Sequence, residues 1–301
     1  METIQQVPAE KTQNLTQMEA SKMTIKNNSE ILFLFDAKRT NPNGDMDNEN
    51  KPRMDLETDT NLVSDVRMKR YIRDYLELFK GEEVFITDKA ENSKKRAEQL
   101  KKIGKEQKDC MDVKFFGAVL AEEGANTHFV GPIQFNWGYS LNKVELQETK
   151  TITSKFSSGE GVGKDFRVKY SFIAFSGSIN AKNAELLKLS EEDVKLFDEA
   201  MIKSIPLSRT RSKIGQMPRL YLRIELKDSD SYLKDLREYL KVDREKDYNS
   251  IEEVEIDCSG LSTYLGENKE KIAKIIVFKD DKINLKGLDL QSFNIESIKL
   301  K

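Results

Sequence analysis

Residues 219–227 read RLYLRIELK, in which Leu220, Leu222, Ile224 and Leu226 alternate with Arg219, Tyr221, Arg223, Glu225 and Lys227. A side-chain repeat of two is that of a β-strand, so the segment is expected to form a strand with one apolar face and one polar, mainly basic face. Upstream, a helix is expected from Glu191 to Lys203, with Ser190 and Asp193 placed as a capping box that carries Asp in the Glu/Gln position. Alternation through Phe166, Val168, Tyr170 and Phe172 gives another strand, and strand-like segments run from Val113 to Leu120 and from His128 to Trp137. Ile31 to Phe35 (ILFLF) is a continuous apolar run too short for a helix and suited to a strand buried on both faces. Ser64 can cap a helix running to about Lys80, with Met68, Ile72, Tyr75, Leu76 and Phe79 on one side and Arg67, Lys69, Arg70 and Arg73 on the other. Downstream, a helix near Tyr232 to Lys241 and strands near Val254 to Ile256 and Ile272 to Phe278 complete the pattern. Few helices among many sequential strands imply an α+β domain of ferredoxin-like or RNA-recognition-like type rather than regular βαβ winding.

The 301 residues contain 50 Lys plus Arg against 52 Asp plus Glu, a net charge of −2, which excludes a globally basic nucleic-acid binder. That balance conceals segregation. Met201 to Lys227 carries seven basic residues against the single acid Glu225, or +6, and Asp228 to Asp257 carries eleven acids against five bases, or −6. Residues 1–28 are polar without apolar periodicity and read as a disordered extension, which leaves 29–301 as one elaborated domain. No secretory leader or membrane-spanning run is present, and the two cysteines, Cys110 and Cys258, form no CxxC pair, so a cytoplasmic protein without a membrane partner is expected.

Catalytic and cofactor motifs fail at particular positions. Gly159 to Lys164 resembles a phosphate loop but has Ser158 and Asp165 where Gly and Ser or Thr are needed. Asp45, Asp47 and Glu49 alternate as calcium ligands do, yet Asn50 and Leu56 occupy the required Gly and Glu positions. His128 is the single histidine, which rules out a multi-histidine metal site. No cofactor and no catalytic residue are expected. Asn41-Pro42-Asn43-Gly44 suits a type I turn within a long polar loop from Asp36 to Asn61, and residues 89–108 suit a solvated helical insertion. In Ser208-Arg209-Thr210-Arg211-Ser212-Lys213 an extended chain would put three cations on one side, a geometry suited to tracking a phosphate backbone.

Together, NPNGDMDNENKPRMD (41–55), SDVRMKRYIRDYL (64–76), KFFGAVL (114–120), GPIQFNWGYSL (131–141) and LSRTRSK (207–213) resemble the CRISPR-associated seven group, in the order expected from Ser29 to Lys227. This group is the multicopy backbone subunit of type I Cascade effectors within the RAMP superfamily, and the flavour is nearest to subtype I-B. The resemblance implies a modified RNA-recognition-like domain with finger-like insertions at about 81–165 and a thumb at about 205–218. It also implies a helical filament of copies along a CRISPR guide RNA, other Cascade subunits as neighbours, and target DNA reached through guide pairing. Within that picture the RNA-binding candidates are Arg39, Lys51, Arg53, Arg67, Lys69, Arg70, Arg73, Lys155, Lys164, Arg167, Arg209, Arg211, Lys213 and Arg219, with Met217 as a wedge beside a displaced base. The alternative is a metal-dependent, RNA-cleaving subunit of type III-like effectors, for which Asp36 and Asp45 are the candidates.

Overall fold

The computed structural model describes residues 23–122, 125–152 and 163–299. The chain opens with β1 (Ser29–Thr40), the short strands β2 (Gly44–Asp45), β3 (Lys51–Pro52), β4 (Met54–Asp55) and β5 (Thr60–Val63), and helix α1 (Asp65–Tyr75). Helices α2 (Ser93–Lys102) and α3 (Met111–Phe116) lead into β6 (Gly117–Glu122), β7 (Ala125–Val130), β8 (Ile133–Phe135), β9 (Gly138–Ser140), β10 (Leu146–Ile152) and the long β11 (Gly163–Ile179). Then come α4 (Ala181–Leu187), α5 (Glu191–Leu207), β12 (Gln216–Leu226), β13 (Glu255–Asp257), α6 (Ser259–Glu267), β14 (Ile272–Lys279), β15 (Asn284–Lys286) and β16 (Ile295–Ser297).

The main sheet runs β16-β14-β12-β1-β11-β9-β5-β4, with β8 and β10 also paired to β11. β1 is antiparallel to both β11 and β12, and β11 is antiparallel to β9, so β1 and β9 point the same way with β11 between them. The middle of the domain is therefore a split βαβ arrangement in an α+β fold, with α1 following β1 and α5 joining β11 to β12.

Layers on both faces explain the unbroken ILFLF run. Phe33 and Phe35 pack with Met68, Tyr71 and Ile72 of α1 and Phe197 and Met201 of α5. The alternate residues Leu32 and Leu34 pack with Leu220, Leu222 and Ile224 of β12 against Leu236, Ile256, Leu261 and Leu265 of the C-terminal region. Each fully buried Leu or Phe here contributes about 1.5–3 kcal/mol of transfer free energy.

The same layering corrects the reading of residues 219–227. They lie in a strand, but its second face is not solvated, since Tyr221 is 0% and Arg223 3% exposed beneath α5. Arg223 donates from Nε and Nη2 to the two oxygens of Asp198 at 2.8 Å each, and the Tyr221 hydroxyl donates to Asp198 at 2.6 Å. Other departures are local. The strand that holds ILFLF runs on to Thr40 and is followed by short hairpins rather than one long loop, and the hydrogen-bonded turn falls at Asp45 to Asn48 (3.1 Å), not at residues 41–44. Val113 to Phe116 is helical until Gly117, whose φ of 77° ends the helix where a Cβ would meet the Phe129 carbonyl oxygen at 2.1 Å. Only one 3₁₀ turn, Leu236–Tyr239, stands where a helix near Tyr232 to Lys241 is expected. Packing begins before Ser29: Ile25 is 6% exposed, and its amide donates to the Leu189 carbonyl at 3.0 Å. The Ser190 and Asp193 capping box forms, and Ser64 caps α1.

Candidate nucleic-acid interface

The end of β1, the first turn of α1 and residues 208–215 meet at one junction. Pro206 lies in the last turn of α5, which ends at Leu207, and the chain then loops back to β12. The loop is tied to β1 by Lys38 N–H donating to the Gly215 carbonyl (3.1 Å) and Asn41 N–H to that of Ser212 (2.9 Å). Gly215 has φ of 108°, and a Cβ there would lie 2.9 Å from the Lys38 carbonyl oxygen, so the close approach requires glycine. The loop crown then projects, with Arg209, Thr210 and Arg211 exposed, Ile214 63% exposed and Met217 38% exposed at its return.

Behind the crown, the cations differ in what they meet. Arg211 Nη2 and Arg167 Nε both donate to Asp165 Oδ2, at 2.9 and 2.8 Å, and Arg167 Nη1 donates to the carbonyl of Arg39 at 2.9 Å. Burial alone would raise the Asp165 carboxyl, but the hydrogen bonds from Arg167 and Arg211 outweigh it and hold the group below the usual carboxylate value. Arg39 itself is exposed and has φ of 51°, a conformation uncommon for a non-glycine residue. Among the described residues Lys213 Nζ meets no carboxylate, and it donates to the carbonyls of Asn41 (2.5 Å) and Pro42 (3.1 Å). Burial first, and then the positive charge of Arg67, push its ammonium down to about 7. The Arg67 guanidinium lies 3.9 Å from the centre of the Tyr71 ring, and the Tyr71 hydroxyl donates to Gln216 Oε1 at 2.9 Å.

Four buried side-chain atoms at this junction have no hydrogen-bond partner among the described residues: Thr40 Oγ1, Asn41 Oδ1, Arg67 Nε and Gln216 Nε2. Each such unmade bond costs about 1–3 kcal/mol. Asn43 is satisfied, because its Oδ1 accepts from both the amide and the hydroxyl of Ser64 at 2.8 Å and so fixes the start of α1. Thr40, Asn41, Tyr71 and Gln216 were not among the expected site residues; 41–44 reads as a turn, and nothing around Gln216 in sequence marks it.

The remaining expected cations are mostly engaged within the chain. Lys51 pairs with Glu49 (3.1 Å), Arg53 with Asp45 (3.0 Å), Lys69 with Asp65 (3.0 Å), and Arg70 with Asp74 and Asp88 (2.7 Å each). Arg73 is not on an exposed face: it is 7% exposed and its Nε donates to Asp112 at 2.9 Å. Arg219 is likewise buried at 9%, clamped to Asp36 by Nε (3.0 Å) and Nη2 (3.1 Å) and to Asp280 by Nη1 (2.7 Å). Neither is free to meet a phosphate. Lys164 stands second in β11, and Lys155 lies outside the described residues, as do residues 157–162 of the Gly/Ser-rich stretch.

The sheet face opposite α1 and α5 is covered by the C-terminal region, so no open sheet surface is available there for stacking bases. Nor is a metal cradle assembled. Asp36 is held by Arg219 and accepts from the Tyr170 hydroxyl at 3.2 Å, Asp45 is paired with Arg53, and no group of three His, Cys, Asp or Glu side chains among the described residues is placed to hold a metal ion. Burial, only partly offset by Arg219, raises the Asp36 carboxyl above its ordinary value. The acids of 228–257 are largely spent within the chain, as in Lys182–Asp230 (2.6 Å), Lys143–Glu245 (2.8 Å) and Lys169–Asp247 (2.6 Å).

The sequence matches the family described as CRISPR-associated protein Cas7 over residues 27–259. The chain belongs to the Cas7 family. It is 30% identical over 306 aligned positions to a CRISPR-associated protein Cas7 of Haloferax volcanii, covering 87% of this chain and 90% of that one. The fold of this chain is similar to that of a chain of a solved CRISPR RNA-guided surveillance complex, with a TM-score of 0.56 at 15% identity over 91% of this chain and 95% of the other. A second such complex, described as pre-nicking, gives a TM-score of 0.54 at 12% identity over 91% and 96%.

Proposed function

We propose that this Cas7 family chain is a noncatalytic backbone subunit of a type I Cascade effector, binding the CRISPR guide RNA by its phosphates and stacking with further copies along it. The observation that carries this reading is the projecting loop of residues 208–215. Arg209 and Arg211 stand exposed on a crown whose base is fixed to β1 through Gly215 and Ser212. Arg39 and Arg167 lie beside it, linked through the Arg39 carbonyl and Asp165. Such a loop tracks a polyanion without reading bases, so the guide stays free to pair with target DNA. On this reading the RNA-recognition-like core is the split βαβ unit, residues 205–218 are the thumb with Met217 at its root, and the insertions within 81–165 are fingers. Other Cascade subunits and target DNA are partners through the complex, and the protein works in the cytoplasm. No helix among the described residues is long and apolar enough to cross a membrane.

A metal-dependent cleavage role finds no support in the side chains on which it depends, because Asp36 and Asp45 are both committed to arginines. The test is direct. Protein purified under native conditions is expected to carry nucleic acid that ribonuclease removes and deoxyribonuclease does not. Added guide, complementary RNA and magnesium are expected to yield no cleavage. Protein free of RNA and unable to bind it, or cleavage abolished by Asp36→Ala, would overturn the proposal.

A further inference from the structure

The four unpartnered atoms at the junction define a ligand by what they lack. Arg67 Nε and Gln216 Nε2 are donors in need of an acceptor, and Asn41 Oδ1 is an acceptor in need of a donor. The orientation of the Asn41 amide is set independently, because its Nδ2 donates to the Asn50 carbonyl at 2.7 Å. Thr40 Oγ1 can serve either way. Asn41, Thr40 and Gln216 are 3%, 0% and 1% exposed, so these are built positions rather than surface side chains. They are also connected: Lys213 bridges to the Asn41 and Pro42 carbonyls, Gly215 sits against Thr40, and Tyr71 joins Gln216 to Arg67.

Charge points to the same ligand. Lys213 and Arg67 repel one another, and among the described residues neither has a carboxylate within ion-pair distance. The carboxylate that acts on Arg67 is Asp74, itself ion-paired to Arg70 at 2.7 Å, and Asp165 beside the loop is held by Arg167 and Arg211. Arg67 and a protonated Lys213, neither of them in an ion pair among the described residues, favour an anion between them. A phosphate alone would satisfy the cations and the orphan donors but could give nothing to Asn41 Oδ1, since an ionised phosphate diester only accepts. A ribonucleotide offers both, an anionic phosphate and a 2′-hydroxyl that donates, whereas a deoxyribonucleotide backbone has no donor at all.

We propose that this junction is a sugar-discriminating subsite. Asn41 Oδ1 accepts from the 2′-hydroxyl of one guide nucleotide while Arg67, Gln216 and Lys213 hold its phosphate, and this makes the chain prefer RNA to DNA. The inference rests on the RNA-binding reading above. Lys213 spans from the loop to the Asn41 and Pro42 carbonyls and so stands at the edge of the subsite.

The test uses the full chain with an oligouridylate and its all-deoxy and all-2′-fluoro counterparts, the fluoro sugar being close in size to the ribose but without the donor. The wild type is expected to bind both substituted strands about tenfold more weakly, equivalent to about 1.4 kcal/mol. Asn41→Ala is expected to bind the RNA about tenfold more weakly and the 2′-fluoro strand unchanged, so that discrimination collapses. Equal binding of all three strands by the wild type would overturn the inference and leave the junction with an ordered water only, as would Asn41→Ala weakening all three alike. Should Asn41→Ala fail to fold, the 2′-fluoro comparison on the wild type decides alone. A wild type that binds no RNA refutes the functional reading itself, whereas RNA binding without sugar preference refutes only this subsite.

Discussion

Arg209 and Arg211 stand on the crown of a loop, and Arg219 and Arg223 follow on β12, eight to fourteen residues further along. In sequence the four belong to one basic segment, but in the fold they separate completely. The strand arginines are under 10% exposed and clamp Asp36, Asp280 and Asp198, whereas the loop arginines are exposed and, among the described residues, only Arg211 meets an acid. The difference teaches that a run of positive charge becomes a binding surface only where the backbone leaves the sheet. On the sheet the same charge is drawn inward, Arg223 holding α5 to β12 and Arg219 holding β12 to β1 and to Asp280 beyond β14.

The largest expected effect breaks the strand half of this comparison. Arg223→Ala leaves Asp198 buried without its cation and is expected to cost about 3–5 kcal/mol of stability, read from denaturant unfolding. A loss within about 0.5 kcal/mol, the usual surface value, would mean that β12 is not buried as described. Glu30 on β1 sharpens the same point, being a mostly buried acid with no arginine. Burial, reinforced by Asp235, raises its carboxyl to about 7 even though the Leu233 amide donates to it. A folded-state value above the unfolded one means the folded chain holds the proton more tightly. Stability should therefore fall as pH rises from about 4.5 to about 7, by about 3 kcal/mol at most. Glu30→Gln should flatten that part of the pH–stability curve, and a curve that keeps its slope would contradict the assignment.

On the loop side, Lys213 is lowered to about 7 by burial and Arg67, so above pH 7 the free protein has largely shed this proton, and a phosphate should restore it. RNA binding at pH 8 is expected to take up a proton, visible as a calorimetric heat that varies with buffer ionisation enthalpy. Heats independent of buffer would show that Lys213 does not meet the phosphate. The smallest effect is expected at Met217, whose apolar side chain carries no charge. Met217→Ala should leave the salt dependence of RNA binding unchanged and alter affinity only a few-fold.

The central strands were legible because their patterns answer to local rules. ILFLF is apolar throughout as a strand covered on both faces must be, and Ser190 with Asp193 caps α5 as the side chains dictate. What escaped was set by distant partners. Arg219–Lys227 alternates like a half-solvated strand, and only the placement of Asp198 on α5 turns its basic face inward. Arg73 shares the helical spacing of the basic residues Arg67, Lys69 and Arg70, yet Asp112, from a segment 39 residues away, claims it. The loop was legible as a run of cations, and the junction behind it was not. Thr40, Asn41, Arg67 and Gln216 come from three stretches of chain, and their shared lack of partners exists only in the fold.

The measurement that tests the account most directly is the salt dependence of single-stranded RNA binding by the wild type and by the Arg209→Ala, Arg211→Ala, Lys213→Ala triple variant. For single strands each lost phosphate contact lowers the slope of log affinity against log salt by about 0.7, so three lost contacts should lower it by about 2. Arg209 and Arg211 are exposed, so any fall in the thermal midpoint should come from Lys213, which bonds the Asn41 and Pro42 carbonyls, and the Lys213→Ala single variant measures that share. An unchanged slope in a folded triple variant would contradict the account and show that the guide lies elsewhere on the molecule.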